Sequence, residues 1–222
     1  FGLGHFTVGN TWIATAFTYQ SEMPVWLGGL AVVGLAAYLA VYPMLAVLAA
    51  RLIAPRGGLA MVLGFAGAWI VTEWMRAWVF TGFVWNPLGI VLLGGFDGPG
   101  WAWLAKGVGT YGLSGFAVLV AGGLRHWRAI GRLPVLAGAA VLVAGMVWPG
   151  ARPVPGPLAY ALVQPDIRQE VLNEPDQYEA NFVKTAKLSL PGTRGGRRLG
   201  LWPESGVPDY PEDGYPDWVY RG

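Results

Sequence analysis

The chain has no cysteine, only two histidines in 222 residues, and just 13% charged side chains. The first absence excludes a disulfide-stapled scaffold and a thiolate metal site within this sequence. His5 and His126 stand apart, without ligand spacing, so no metal is expected. Soluble domains carry about 25% charged residues; half that share, beside 54% hydrophobic residues and 34 glycines, excludes an ordinary soluble domain. Nor is there a basic stripe. The Arg125 to Arg132 cluster is short and adjoins an apolar run, which suits membrane topology and anionic lipid better than nucleic acid.

What charge exists is uneven. Residues 1–155 hold 11 of the 28 charged side chains, and the last 67 residues hold the rest. In the first part, uncharged apolar runs recur at Phe1 to Tyr19, Met23 to Ala50, Gly57 to Thr72, Gly107 to Leu124 and Leu133 to Ala151. A helix needs about 20 mostly apolar residues to cross a bilayer, so residues 1–151 are expected to form a transmembrane domain of about five spans. The run at Phe1 is the weakest, because it contains Gly, Thr and Asn. A signal peptide does not account for so many runs, and a start at Phe1 without a methionine or basic leader reads as a fragment. Arg51 and Arg56 separate the second and third runs, and Arg125, Arg128 and Arg132 the fourth and fifth; basic loops face the cytoplasm. Everything beyond Arg152 is therefore expected on the extracytoplasmic side. The glycines of "LGGL", "GLSG" and "AGGL" lie in apolar runs and read as helix-packing surfaces rather than phosphate loops.

A proline-rich linker, residues 152–157, leads to the polar part at 158–222. Leu158 to Val163 has the length of a buried strand. Residues 170–190 carry apolar positions at helical spacing, with acids early and Lys184 and Lys187 late, as a helix dipole favours. "RLGLW" reads as a second short buried strand, giving the strand, helix, strand opening of an α/β domain. Pro203 stops that strand, so "WPES" turns directly after Trp202 and sets Glu204 at a strand's carboxyl end, where open α/β sheets place ligands. By composition alone Glu204 is a solvated loop residue. Glu73 and Arg76, three apart, share a helix face, where they either pair with each other or meet a phospholipid headgroup. Asp209, Glu212, Asp213 and Asp217 form a solvated acidic loop without the spacing of a calcium site.

"WPES" with a following "VPD", preceded by "ALVQPDIRQ", resembles the first catalytic segment of the nitrilase superfamily as it occurs in the apolipoprotein N-acyltransferase family. "TEWMRAWVFTGFVWNPLG", residues 72–89, is similar to that family's Thr-Glu-Trp-Leu-Arg and Thr-Gly-Phe-Pro-Trp pattern, and "GNTWIATAF" and "LAAYLAVYP" resemble its upstream helices. The resemblance implies a multi-span α-helical membrane domain followed by the start of an α/β nitrilase-like (carbon-nitrogen hydrolase) domain, in the inner membrane of a bacterium. It implies an intact protein of eight spans, so that about two spans, most of the catalytic domain and the last span fall outside this sequence.

The implied activity moves an acyl chain from a phospholipid donor to a cysteine thiol, and from that thioester to the amine of a diacylglyceryl-modified apolipoprotein, without a cofactor. Glu204 matches the family's general base; its oxyanion lysine and nucleophilic cysteine would lie beyond Gly222, so this chain alone is expected to be inactive. Glu73, Arg76 and Trp85 are the candidates for contact with the lipid substrate. Leu172 and Asn173 stand where the family commonly has Lys-Trp, and Phe83-Val84-Trp85 where it has Phe-Pro-Trp. Two alternatives stay open: a membrane-anchored nitrilase-type amidase using the same Glu204, and a non-catalytic transporter or assembly protein with a degenerate domain.

Overall fold

The computed structural model describes residues 1–19, 23–95, 98–126, 131–147, 156–172, 174–190, 198–204 and 206. It divides into two units, Phe1–Arg152 and Pro153–Gly222.

In the first unit α1 (Gly2–Gly9) and α2 (Trp12–Ala16) are followed by a 3₁₀ turn at Phe17–Tyr19. The helix expected over Phe1 to Tyr19 is thus broken in two, and the break falls where the run is polar: Asn10 caps α1 and is fully buried. Next come α3 (Trp26–Leu39) and α4 (Val41–Ile53), which together make one apolar segment of 28 residues. Their junction at Ala40 has a local cause, because Pro43 has no N–H to give the carbonyl four residues back. α5 (Gly58–Arg76) has 19 residues. α6 (Ala105–Arg125) continues a 3₁₀ turn at Trp101–Leu104 and is kinked at Gly109, whose φ of 72° a glycine adopts freely. α7 (Arg132–Val147) has 16 residues, and the rest of its apolar run lies outside the described residues. Among the described residues three segments are long and apolar enough to cross a membrane: Trp26–Ile53, Gly58–Arg76 and Trp101–Arg125.

α5 packs between α4 and α6, and α1 packs on α3. Ala46, Ala66, Trp69 and Val118 form the shared core of the three long helices. Small residues let the backbones approach, as association without a hydrophobic drive requires. A side chain at Gly115 would strike Ile70 of α5, one at Gly122 would strike Val62, and one at Gly28 would strike Ala14. The outward faces carry Leu30, Val33, Leu48, Leu52, Leu59, Leu63 and Val71, all exposed. So much apolar surface is costly in water and is the proper exterior in lipid.

In the second unit β1 (Tyr160–Leu162) pairs in parallel with β2 (Leu199–Leu201), with Ala161 opposite Gly200. The crossover runs through α8 (Gln169–Leu172), a 3₁₀ turn at Pro175–Gln177 and α9 (Tyr178–Ser189). The order strand, helix, strand agrees with the pattern in the sequence, but two details differ. The helix expected from residue 170 begins in earnest at Tyr178, since Pro175 starts a fresh turn. The strands expected to be buried are exposed at Tyr160, Leu162, Leu199 and Leu201, because one helix against two strands covers little of either face. Burial begins just after β1, at Val163, whose N–H donates to the Leu201 carbonyl at 3.0 Å.

Candidate functional site

The last turn of α5 builds a polar cluster in the otherwise apolar first unit. Glu73 and Arg76 fall on one helix face and are 95% and 97% buried by relative exposures of 5% and 3%. Their closest approach, Arg76 Nη2 to Glu73 Oε1, is 3.7 Å. A buried pair of charges needs further hydrogen bonds to offset its desolvation, and the segment after α5 supplies them by folding back. Arg76 Nη1 donates to the carbonyls of Phe83 at 2.9 Å and Trp85 at 2.7 Å, while the Phe83 N–H donates to the Arg76 carbonyl at 2.8 Å. Glu73 Oε1 accepts from the Leu88 N–H at 2.9 Å and from Trp69 Nε1 at 3.4 Å. The guanidinium also lies 5.1 Å from the centre of the Phe6 ring, a cation–π contact that ties α1 to the cluster. Glu73 Oε2 is buried and makes no hydrogen bond among the described residues.

Two more anchors hold the same segment. Asn86 takes a φ of 56°, a conformation asparagine tolerates better than most residues. Its Nδ2 donates to Asn10 Oδ1 at 2.8 Å, and its carbonyl accepts from His5 Nε2 at 3.2 Å. Gly89 N–H donates to Ser114 Oγ of α6 at 2.8 Å. The segment 83–89 is therefore fastened to α1, α5 and α6 at once. Trp85 projects from it with 59% of its surface exposed and meets Trp12 edge-to-face at 6.2 Å. Trp69 and Leu88, both bonded to Glu73, also line an apolar groove of about 710 Å³ with Met44, Val47, Phe65 and Val118.

Of the expected site residues, the structure brings Glu73, Arg76 and the backbone of Trp85 together and places Glu204 in the second unit. There β2 ends at Leu201 and the chain turns at Pro203 and Glu204, with the Gly206 N–H donating to the Pro203 carbonyl at 2.9 Å. The turn is fixed from its near side: Trp202 meets the Phe182 ring of α9 at 5.5 Å and donates from Nε1 to Ser189 Oγ at 2.7 Å. Glu204 itself is exposed among the described residues. Asn173, the "VPD" at 207–209 and the acidic positions from Asp209 to Asp217 lie outside them.

Asn10, Asn86 and Ser114 were not singled out by pattern. The available signal was a polar side chain, amide or hydroxyl, among apolar residues, which at membrane depth usually has a partner.

Long apolar helices with a buried ion cluster define a multi-pass membrane protein. Residues 1–123 match the family model described as the apolipoprotein N-acyltransferase N-terminal domain. The chain belongs to the apolipoprotein N-acyltransferase family. It is 39% identical to the apolipoprotein N-acyltransferase of Ralstonia nicotianae over 77% of its length and 34% of the relative's. It is 35% identical to that of Caulobacter vibrioides over 93% of its length and 40% of the relative's. Against that of Chromobacterium violaceum it is 31% identical over 96% of its length and 41% of the relative's. The chain thus spans about 40% of the length of such relatives.

Proposed function

We propose that the protein to which this chain belongs N-acylates the lipidated N-terminal cysteine of lipoproteins. Glu204 as general base takes the proton of a cysteine thiol, the thiolate replaces the glycerol oxygen at the phospholipid's acyl carbonyl, and the lysophospholipid leaves with that proton; the amine of the lipidated cysteine then takes the acyl group from the thioester and frees the thiol. The whole sits in the bacterial inner membrane with residues beyond Arg152 on the periplasmic side, where they begin a nitrilase-like domain. The observation that supports this reading is the turn at Pro203 and Glu204: it follows a parallel strand whose end is clamped to α9 through Trp202, so Glu204 comes directly after the carboxyl end of a strand. A base acts on a thiol only within hydrogen-bond reach and with its pKa drawn toward neutrality by confinement. The cover for Glu204 must then come from parts of the protein other than the described residues. At the membrane, the segment fastened to the end of α5, with its exposed Trp85, and the neighbouring apolar groove serve the phospholipid donor, and the membrane lipids themselves are the remaining partner.

The test is Glu204→Gln and Glu204→Asp in a full-length protein. Gln keeps size and much of the hydrogen bonding but accepts no proton, so thioester formation with phospholipid should fall by a factor on the order of 10² to 10⁴. Asp withdraws the acid by about one methylene and should cost about 10²-fold. Equal membrane abundance of the variants is the control. A wild-type rate in Glu204→Gln returns the residue to an ordinary loop glutamate.

A further inference from the structure

Three residues of the first unit were candidates for contact with lipid, and their burial separates them. Glu73 and Arg76 are exposed by only 5% and 3%, whereas Trp85 is 59% exposed. Arg76 Nη1 is already committed to the carbonyls of Phe83 and Trp85, and Glu73 Oε1 to the N–H of Leu88. These bonds bracket Trp85 on both sides along the chain. A guanidinium is a planar fork with fixed donor directions, so two carbonyls held by one nitrogen are held at a fixed mutual angle. The peptide at 85 is thereby set against the end of α5. The Asn86 link to Asn10 adds a hold from α1, the element that leads into Trp12 and its edge-to-face contact with Trp85.

We infer that Glu73 and Arg76 are positioning residues for Trp85, and that Trp85, with Trp12 at its edge, is the group that touches the phospholipid donor. The inference rests on the proposed function and divides its labour: the buried ions never meet the lipid, and they act by keeping one indole pointed outward. Trp and Tyr prefer the membrane interface, where an apolar ring and a polar N–H both find partners. A tryptophan held rigidly there loses little freedom on contact with a lipid, so binding gains from preorganisation.

The experiment is a double-mutant cycle in the full-length, membrane-reconstituted protein, reading kcat and KM for phospholipid in thioester formation. The variants are Arg76→Lys, Trp85→Ala and the two combined. Lysine keeps the charge opposite Glu73 but replaces the planar fork with a compact ammonium whose three donors have no fixed direction. Each single change should raise KM roughly five- to tenfold, the worth of about one hydrogen bond, and leave kcat nearly unchanged. The double variant should be no worse than Trp85→Ala alone, because the arginine acts only through the tryptophan. Effects that multiply, or a wild-type KM in Arg76→Lys, overturn the inference.

A second readout needs no turnover. With 5-fluorotryptophan incorporated, the ¹⁹F resonance of Trp85, identified by its loss in Trp85→Phe, should move or broaden in Arg76→Lys while that of Trp103 stays. Should Arg76→Lys fail to insert, Glu73→Gln replaces it, with displacement in the same direction expected. An unmoved Trp85 resonance overturns the positioning role. If the wild-type protein forms no thioester, the proposed function falls, and the resonance still decides whether Arg76 positions Trp85.

Discussion

Asn86 shows how much one side chain can carry. It sits at φ 56°, donates to Asn10, and hands its carbonyl to His5. Backbone and side chain make separable demands. Asn86→Gly keeps the conformation and loses the amide bond, so it should cost about 1 kcal/mol, with up to about 3 if Asn10 Oδ1 is left dry. Asn86→Val loses the same bond and also places a β-branched residue in the left-handed region, which adds about 1–2 kcal/mol. Unfolding of the membrane protein in detergent, followed by circular dichroism, should rank wild type above Gly above Val; a Val variant as stable as Gly would remove the backbone part of this account. In the sequence Asn10 was visible as an intrusion in an apolar run. Its partner was not, because 76 residues separate the two and no local pattern connects them. Glu73 and Arg76 were legible as a pair from their spacing alone, whereas the carbonyls that complete their coordination belong to no side-chain pattern at all.

Helices were read well where composition decides and poorly where a single residue does. The apolar runs gave α3 to α6, since length and hydrophobicity suffice to specify a spanning helix. Pro43, Asn10 and Pro175 each moved a boundary by removing a donor or introducing a polar bond. The strands were legible as apolar runs, but their exposure was not, because burial depends on what covers them rather than on their own residues. Glycines give the sharpest test at this scale. Gly122 faces Val62 across the α5 and α6 contact, whereas a side chain at the adjacent Gly123 would meet nothing within 4 Å. Gly122→Leu should therefore force the helices apart and destabilise by about 1–3 kcal/mol. Gly123→Leu should be close to neutral. Comparable loss of stability in both variants would remove close approach at Gly122 as the reason for glycine there, since helix propensity by itself favours leucine over glycine.

For the molecule as a whole, the arginines predict which way it is threaded. A reporter active only outside the cytoplasm should be active when fused after Arg152 and silent when fused near Arg128, since Lys and Arg in short loops stay on the cytoplasmic side. The reverse pattern would overturn the orientation and, with it, a periplasmic Glu204. The two-unit organisation was legible from charge, because 17 of the 28 charged side chains lie in the last 67 residues. The catalytic reading rests on resemblance alone, since "WPES" is a four-residue motif and Glu204 is exposed among the described residues.

Arg76 grips peptide oxygens, and every amino acid has one. The grip is consequently blind to which side chains stand at 83 to 85, so whatever constrains Phe83, which packs against Phe6, Ala36 and Leu39, or Trp85 comes from their other contacts. Proline at position 84, as in the Phe-Pro-Trp pattern that Phe83-Val84-Trp85 resembles, would cost the grip nothing, since Arg76 holds only the carbonyls of Phe83 and Trp85. The only veto it imposes falls one position earlier: the Phe83 N–H is spent on the Arg76 carbonyl, so proline is tolerated at 84 and excluded at 83.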